Sequence, residues 1–303
     1  MKRAFIVVKF AAIGLLALAA LQAGAQTAPA PAQLTGTLAK VRDSGTITIG
    51  HRESSIPFSY RSVRGEPIGY SIDLCKLLVD AISEEVGRDI AIKWQPVTSE
   101  SRIPAVVSGQ VDLECGSTTS NLERQKQVSF SPTMFVSGTK LMVKKGSPIK
   151  SFRDLAGKKV VVTAGTTNEK TMRELAVKFK IDMILSVAAD HAASFAQLQA
   201  GQVDAFATDD VLLYGFIATD PKAKNMKVVG DFLSYDPYGL MLRNDDPQFA
   251  ALVERTFQRI AGERRLAELY NKWFLRRLPT GETLNLPISP QLEELFRVIG
   301  QPD

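Results

Sequence analysis

The chain has 303 residues, a formal net charge of +5, 45% hydrophobic residues and only two cysteines. That length allows two domains with separate cores. The small charge, with basic residues scattered along the chain, excludes a nucleic-acid footprint, and two His and two Cys without close spacing give no zinc site.

The N-terminus carries Lys2 and Arg3, an apolar run over 10–21, and then Ala23-Gly24-Ala25. A basic start, an apolar middle and a small-residue end predict a secretory signal peptide over 1–25, cut before Gln26. Lys9 interrupts the apolar run, which is too short for a membrane anchor, and no Cys follows it for lipid attachment. Residues 26–37, rich in Ala, Pro, Thr and Gln, read as a flexible leader. Nothing later in the chain is apolar enough to span a bilayer.

A short helix over 38–43 and a strand over 46–50 come next. The polar loop that follows runs from His51 to Phe58. Gly69-Tyr70-Ser71-Ile72-Asp73 opens a helix with apolar positions at Ile72, Leu74, Leu77, Leu78, Ala81 and Ile82, and a strand is expected over 90–96. The stretch from Thr98 to Arg124 then reads as a helix over 103–107, ended by Gly109 in the left-handed conformation, and a strand over 111–115. The strand leads into a cluster of hydroxyls and cations.

That plan recurs. Ser108-Gly109-Gln110-Val111-Asp112 is matched by Ala200-Gly201-Gln202-Val203-Asp204. Ser99 and His191 precede the two motifs at the same offset, and Ser117 and Asp209 follow them at the same offset. Two αβ units with polar groups at matching ends suggest two lobes facing one site. Between them, Val160-Val161-Val162 is a β-branched run suited to a strand buried on both faces. Gly165-Thr166-Thr167 then makes a strand-to-helix turn whose hydroxyls and backbone donors can receive an anion.

Helices and strands alternate to a strand over 226–229. A strand over 238–242 and a helix over 247–261 follow. Leu266, Leu269, Tyr270, Trp273 and Phe274 form a stripe expected to pack in the core. Such alternation implies α/β lobes with mainly parallel sheets, whose ligands sit beyond the strand C-terminal ends. Cys75 in a helix pattern and Cys115 in a strand could form one disulfide, but both are expected to be buried free thiols.

These residues resemble the exported solute-binding proteins of amino-acid ABC transporters. Gly69-Tyr70-Ser71-Ile72-Asp73-Leu74 and Gly165-Thr166-Thr167 are similar to segments of that family. The strings 50–60, 114–119 and 123–126 resemble its glutamate/aspartate-binding members. The resemblance implies the type II periplasmic binding protein fold: α/β, two-lobed, with two hinge-crossing strands. Lobe one would span 38–138 plus 242–303, lobe two 139–241, and the hinge 140–144 and 238–242. The tail from Leu275 would pack back on lobe one.

The resemblance also implies a site. Ser117, Thr119, Arg124 and Thr167 match positions that hold the ligand α-carboxylate, and a guanidinium with hydroxyls suits that anion. Asp209 matches the acceptor for the α-ammonium, with its neighbour Asp210 read as a helix-start acid. Arg52, Ser99, Arg102 and His191 would select an acidic side chain, while His51 reads as a structural neighbour of Arg52. The implied ligand is L-glutamate or L-aspartate, the implied partner an inner-membrane ABC permease, and the protein a periplasmic monomer without cofactor. Two alternatives belong to other classes. An enzyme on the same fold, such as a dehydratase, would need Asp209, Glu53, His51 or His191 as general acid; a sensor would present its closed form to a receptor.

Overall fold

The computed structural model describes residues 33–279 and 281–302. The expected signal peptide, and the expected leader up to residue 32, lie outside these residues. From Thr35 the chain is anchored: Thr35 N–H and Oγ1 donate to Gln248 Oε1 and Thr37 N–H donates to Asp246 Oδ2 at 2.6 Å. These bonds start helix α1 (Gly36–Ser44) two residues ahead of its apolar pattern.

Strand β1 (Thr46–His51) leads into a small antiparallel sheet of β2 (Ser54–Ser55), β3 (Ser59–Arg61) and β4 (Pro67–Ile68). Helix α2 (Tyr70–Val86) buries the apolar positions read from the sequence apart from half-buried Leu77, and returns the chain to β5 (Ala91–Pro96), parallel to β1. Helix α3 (Arg102–Val107) ends with Gly109 at φ +71°, as its position predicts, and leads to β6 (Leu113–Cys115) on the other side of β1. After β7 (Val128–Phe130) the chain passes through β8 (Phe135–Ser137) into β9 (Thr139–Lys144), which belongs to a second sheet.

The second sheet repeats the first. β10 (Lys159–Thr163), helix α4 (Thr167–Phe179), β11 (Ile184–Ala188), α5 (His191–Gln199) and β12 (Ala205–Asp209) form parallel pairs around β10, whose last four residues are buried. Helix α6 (Asp210–Thr219) and β13 (Met226–Val229) complete it. The chain returns through β14 (Asp236–Tyr238) to β15 (Met241–Arg243) in the first sheet. The strand orders are β5-β1-β6-β15-β7 and β11-β10-β12-β9-β13, the same winding with one antiparallel insert contributed by each crossing.

The motif shared by the two units does the same work in each. Asp112 Oδ2 accepts the N–H of Thr48 on β1, and its own N–H donates to Thr48 O. Asp204 makes both bonds to Lys159 on β10. Each Asp therefore fastens its helix–strand unit to the neighbouring parallel strand, so the sequence match records a structural repeat.

The crossings themselves are β8 and β14, which pair antiparallel through Phe135–Tyr238 and Ser137–Asp236. This corrects the hinge positions read from the sequence: 140–144 lies in the second sheet, and the expected strand over 238–242 divides between β14 and β15. An apolar strand-like run marks a strand without saying which sheet it joins. The crossing is wrapped by aromatic side chains, with Phe58 in edge contact with Phe135 and Tyr238, and Phe135 stacked on Phe274.

Helices α7 (Pro247–Gly262), α8 (Arg265–Tyr270) and α9 (Pro290–Ile299) complete the core of the first lobe, with α7 packed against α1, α2, α8 and α9, and Leu266, Tyr270, Trp273 and Phe274 are core residues as expected. Leu278, Leu292 and Phe296 join the same core, but the tail also reaches the second lobe, where Glu282 N–H donates to Ala218 O of α6 at 2.8 Å. The two cysteines correct another expectation. Cys75 on α2 and Cys115 on β6 are disulfide-bonded, with their Cα atoms 6.4 Å apart. Helix α2 lies directly on β6, a tertiary contact that spacing along the chain does not reveal.

Candidate ligand-binding site

The residues singled out from the sequence come from the ends of strands and the starts of helices, and the fold collects them between the two sheets. Arg52 follows β1, where its N–H donates to Ser59 Oγ at 2.9 Å. Arg102 opens α3, and Nη1 donates to Thr118 Oγ1 at 2.7 Å and to Ser117 O. Thr118 Oγ1 in turn donates a hydrogen bond to Glu114 Oε2 at 2.8 Å. A side chain at Gly116 would collide with Glu114 Oε1 and press on Arg52 Cγ, so only glycine lets these groups sit together.

Both guanidiniums are buried. Burial, and then the charge of Arg102, push Arg52 down to about 9, so it remains a cation at neutral pH. Burial also lowers Arg102, while Glu114 supports its charge. His191, at the start of α5, bonds Thr163 Oγ1 through Nδ1 at 2.9 Å. Burial, with Arg52 and Arg102 nearby, holds it well below the usual imidazole range, so it is neutral. His51 is buried against Trp94, with Nδ1 3.2 Å from Arg52 O; it supports the backbone at Arg52, as expected.

Arg124 donates from Nη1 to Thr119 O at 2.9 Å and from Nη2 to Gly165 O at 3.3 Å, thereby touching both lobes. Burial first, and then Arg102, lower it to about 10. Thr119 and Thr167 meet across the cleft, their hydroxyls 3.3 Å apart. Gly165, at φ +70°, packs so closely on Ser99 and Glu100 that a Cβ would stand 2.7 Å from Glu100 Cα. Exposed Glu123 and Lys170 pair at the rim. A crevice of about 360 Å³ opens between the lobes here, lined in part by Ser99, Glu100, Arg124, Gly165, Thr167 and Lys170.

Asp209 ends β12 and is held on both oxygens, by Asn168 Nδ2 at 2.8 Å and by the Tyr238 hydroxyl. Burial, and then the nearby charge of Asp236, raise it to about 7. Asp210 opens α6 and accepts from Ser137 Oγ at 2.7 Å, the helix-start role expected of it.

Four of the residues singled out carry buried polar atoms with no hydrogen-bond partner among the described residues: Arg52 Nη1, Ser99 Oγ, Arg102 Nε and Ser117 Oγ. Buried donors left unmet are costly, and so many in one cleft suit an acceptor-rich ligand. Sequence reasoning missed Glu114, Thr118, Asn168, Asp236 and Tyr238. Glu114 and Thr118 lay inside the string that carries the family resemblance and could have been noticed; Asp236, in a Ser-Tyr-Asp-Pro segment, offered no signal.

Two wound α/β lobes, joined by a paired crossing and enclosing a polar cleft, define a binding protein for small solutes. The chain belongs to the bacterial extracellular solute-binding proteins, family 3, whose model matches residues 47–276. It is 44% identical to an L-glutamate/L-aspartate-binding protein of Pseudomonas aeruginosa, over 89% of each chain. It is 42% identical to a glutamate/aspartate import solute-binding protein of Escherichia coli K12, over 94% of this chain and 95% of the relative. Among solved structures, an ancestral arginine-binding protein bound to glutamine superposes with a TM-score of 0.69 at 29% identity, covering 76% of this chain and 98% of that one.

Proposed function

We propose that the chain is a periplasmic receptor that captures L-glutamate or L-aspartate between lobe one (38–138 plus 242–303) and lobe two (139–241) and delivers it to an inner-membrane ABC permease. It would be exported by the signal over 1–25 and act as a monomer. The observation that carries this reading is the buried Arg52–Arg102 pair with its unmet donors. Glu114 supports the charge of both guanidiniums, yet Arg52 Nη1 and Arg102 Nε have no partner among the described residues, and a ligand carboxylate would meet them with charge-assisted hydrogen bonds. Ser99 and neutral His191 complete that side-chain subsite. Arg124 and the first turn of α4 hold the α-carboxylate, with Ser117, Thr119 and Thr167 around it, and Asp209 accepts from the α-ammonium.

The names of the relatives from Pseudomonas aeruginosa and Escherichia coli support the same ligands. Equilibrium dialysis with labelled L-glutamate tests the reading: the folded chain should retain the label and release it to unlabelled L-aspartate. Label that is not retained, or is displaced equally well by L-lysine, would refute it.

A further inference from the structure

Asp236 lies on the crossing strand β14 and is buried. Its Oδ1 accepts the hydroxyl of Thr119 at 3.1 Å and that of Thr167 at 2.8 Å, one from each lobe, and its Oδ2 accepts the hydroxyl of Ser234. A hydroxyl owns one proton. The two hydroxyls also lie 3.3 Å from each other, and whether a proton goes to Asp236 or to the other threonine, Thr119 and Thr167 have only lone pairs to turn toward the cleft. The network continues in the other direction. Ser234 Oγ is 2.8 Å from Thr139 Oγ1, which accepts from Asn168 Nδ2 at 2.7 Å; that amide also donates to Asp209 Oδ1. Asp236 and Asp209 are thus the two ends of one hydrogen-bonded run through the hinge.

The geometry points to Asp236 as a positioning residue of the amino-acid site, one that ties the two lobes together and fixes the polarity of the threonine hydroxyls. Thr119 and Thr167, which the resemblance places at the α-carboxylate, then act instead as acceptors toward a ligand ammonium, and the α-carboxylate is left to Arg124 and the N–H groups opening α4. A carboxylate ligand, which has no proton to give, gains nothing from hydroxyls already donating elsewhere. This inference rests on the amino-acid-binding reading above.

Calorimetry with L-glutamate and with glutarate, the same dicarboxylate without the ammonium, tests it in three proteins. The wild type should prefer L-glutamate. In Asp236→Ala the freed hydroxyl protons can serve a carboxylate, so the preference for L-glutamate over glutarate should shrink at least about tenfold. Asp236→Asn, whose amide oxygen can take the same two protons, should keep the wild-type preference to within about threefold. Equal weakening of both ligands in Asp236→Ala would reduce Asp236 to a structural residue and overturn the inference. Should that variant not fold, a crystal structure of the wild type with L-glutamate decides. Asp236 still bonded to both hydroxyls supports the inference; a ligand carboxylate in its place refutes it. Wild-type protein that binds neither acid overturns the functional reading and this inference with it.

Discussion

Arg102 donates to Thr118 and to the Ser117 carbonyl, and its Nε has no hydrogen-bond partner among the described residues. Arg102→Ala should therefore weaken L-glutamate binding by about 2–5 kcal/mol, as for loss of one partner of a buried charge pair, and titration calorimetry would read it; unchanged affinity would place Arg102 outside the site. Asp209 makes a prediction in pH. Burial raises its pKa from 3.8 to about 7, so between those values the folded chain holds a proton there that an unfolded chain has lost. Ionising that buried carboxyl costs stability, a cost absent below the unfolded pKa and growing as pH rises toward about 7. A bound ammonium requires the ionised form, so affinity should fall as pH drops below about 7, and binding near pH 6 should release a proton. Calorimetry in buffers of different ionisation enthalpy would detect it, and no release at that pH would contradict the assignment. Ser99, Ser117, His191 and Asp209 were legible because a repeat and a family resemblance fell on the same positions, and Arg52 and Arg102 through the resemblance alone. Asp236 was not, because its partners lie as far as 117 residues away and only the crossing of the lobes brings them near.

Among the elements, the two Gly-Gln-Val-Asp units carry a difference that can be measured. Asp112 is buried and also paired with Lys40, whereas Asp204 is exposed. Asp112→Ala leaves the Thr48 N–H without its acceptor and should cost about 1–3 kcal/mol in urea unfolding. Asp204→Ala should cost less, since water can serve the Lys159 N–H; equal losses would contradict this account of the repeat. The disulfide closes a loop with a sequence separation of 40. In the chain-entropy model, replacing both cysteines by Ala should remove about 4 kcal/mol of stability, and a variant unfolding at the wild-type urea midpoint would contradict it. Strand and helix order was readable because period and turn chemistry are local. The bond between α2 and β6, the sheet to which β9 belongs and the tail's contact with α6 are products of packing between distant segments.

For the whole molecule, the lobes meet through Thr119 and Thr167, through Arg124 and Gly165, and through Gly165 against Glu100. Gly165→Ala would place a methyl group 2.7 Å from Glu100 Cα in a backbone conformation that disfavours alanine. It should weaken ligand binding at least about tenfold by resisting closure; wild-type affinity in that variant would show that closure does not need this contact. The proposed function turns on selection of an acidic side chain by Arg52 and Arg102. Its most direct test is calorimetry of L-glutamate, L-aspartate, L-glutamine and L-lysine on protein unfolded and refolded to remove carried ligand. Glutamine would leave a buried guanidinium partly unpaired, a loss of about 1–3 kcal/mol, so the two acids should bind at least about tenfold more tightly than glutamine, and lysine not at all. Glutamine or lysine binding as tightly as the acids would contradict it.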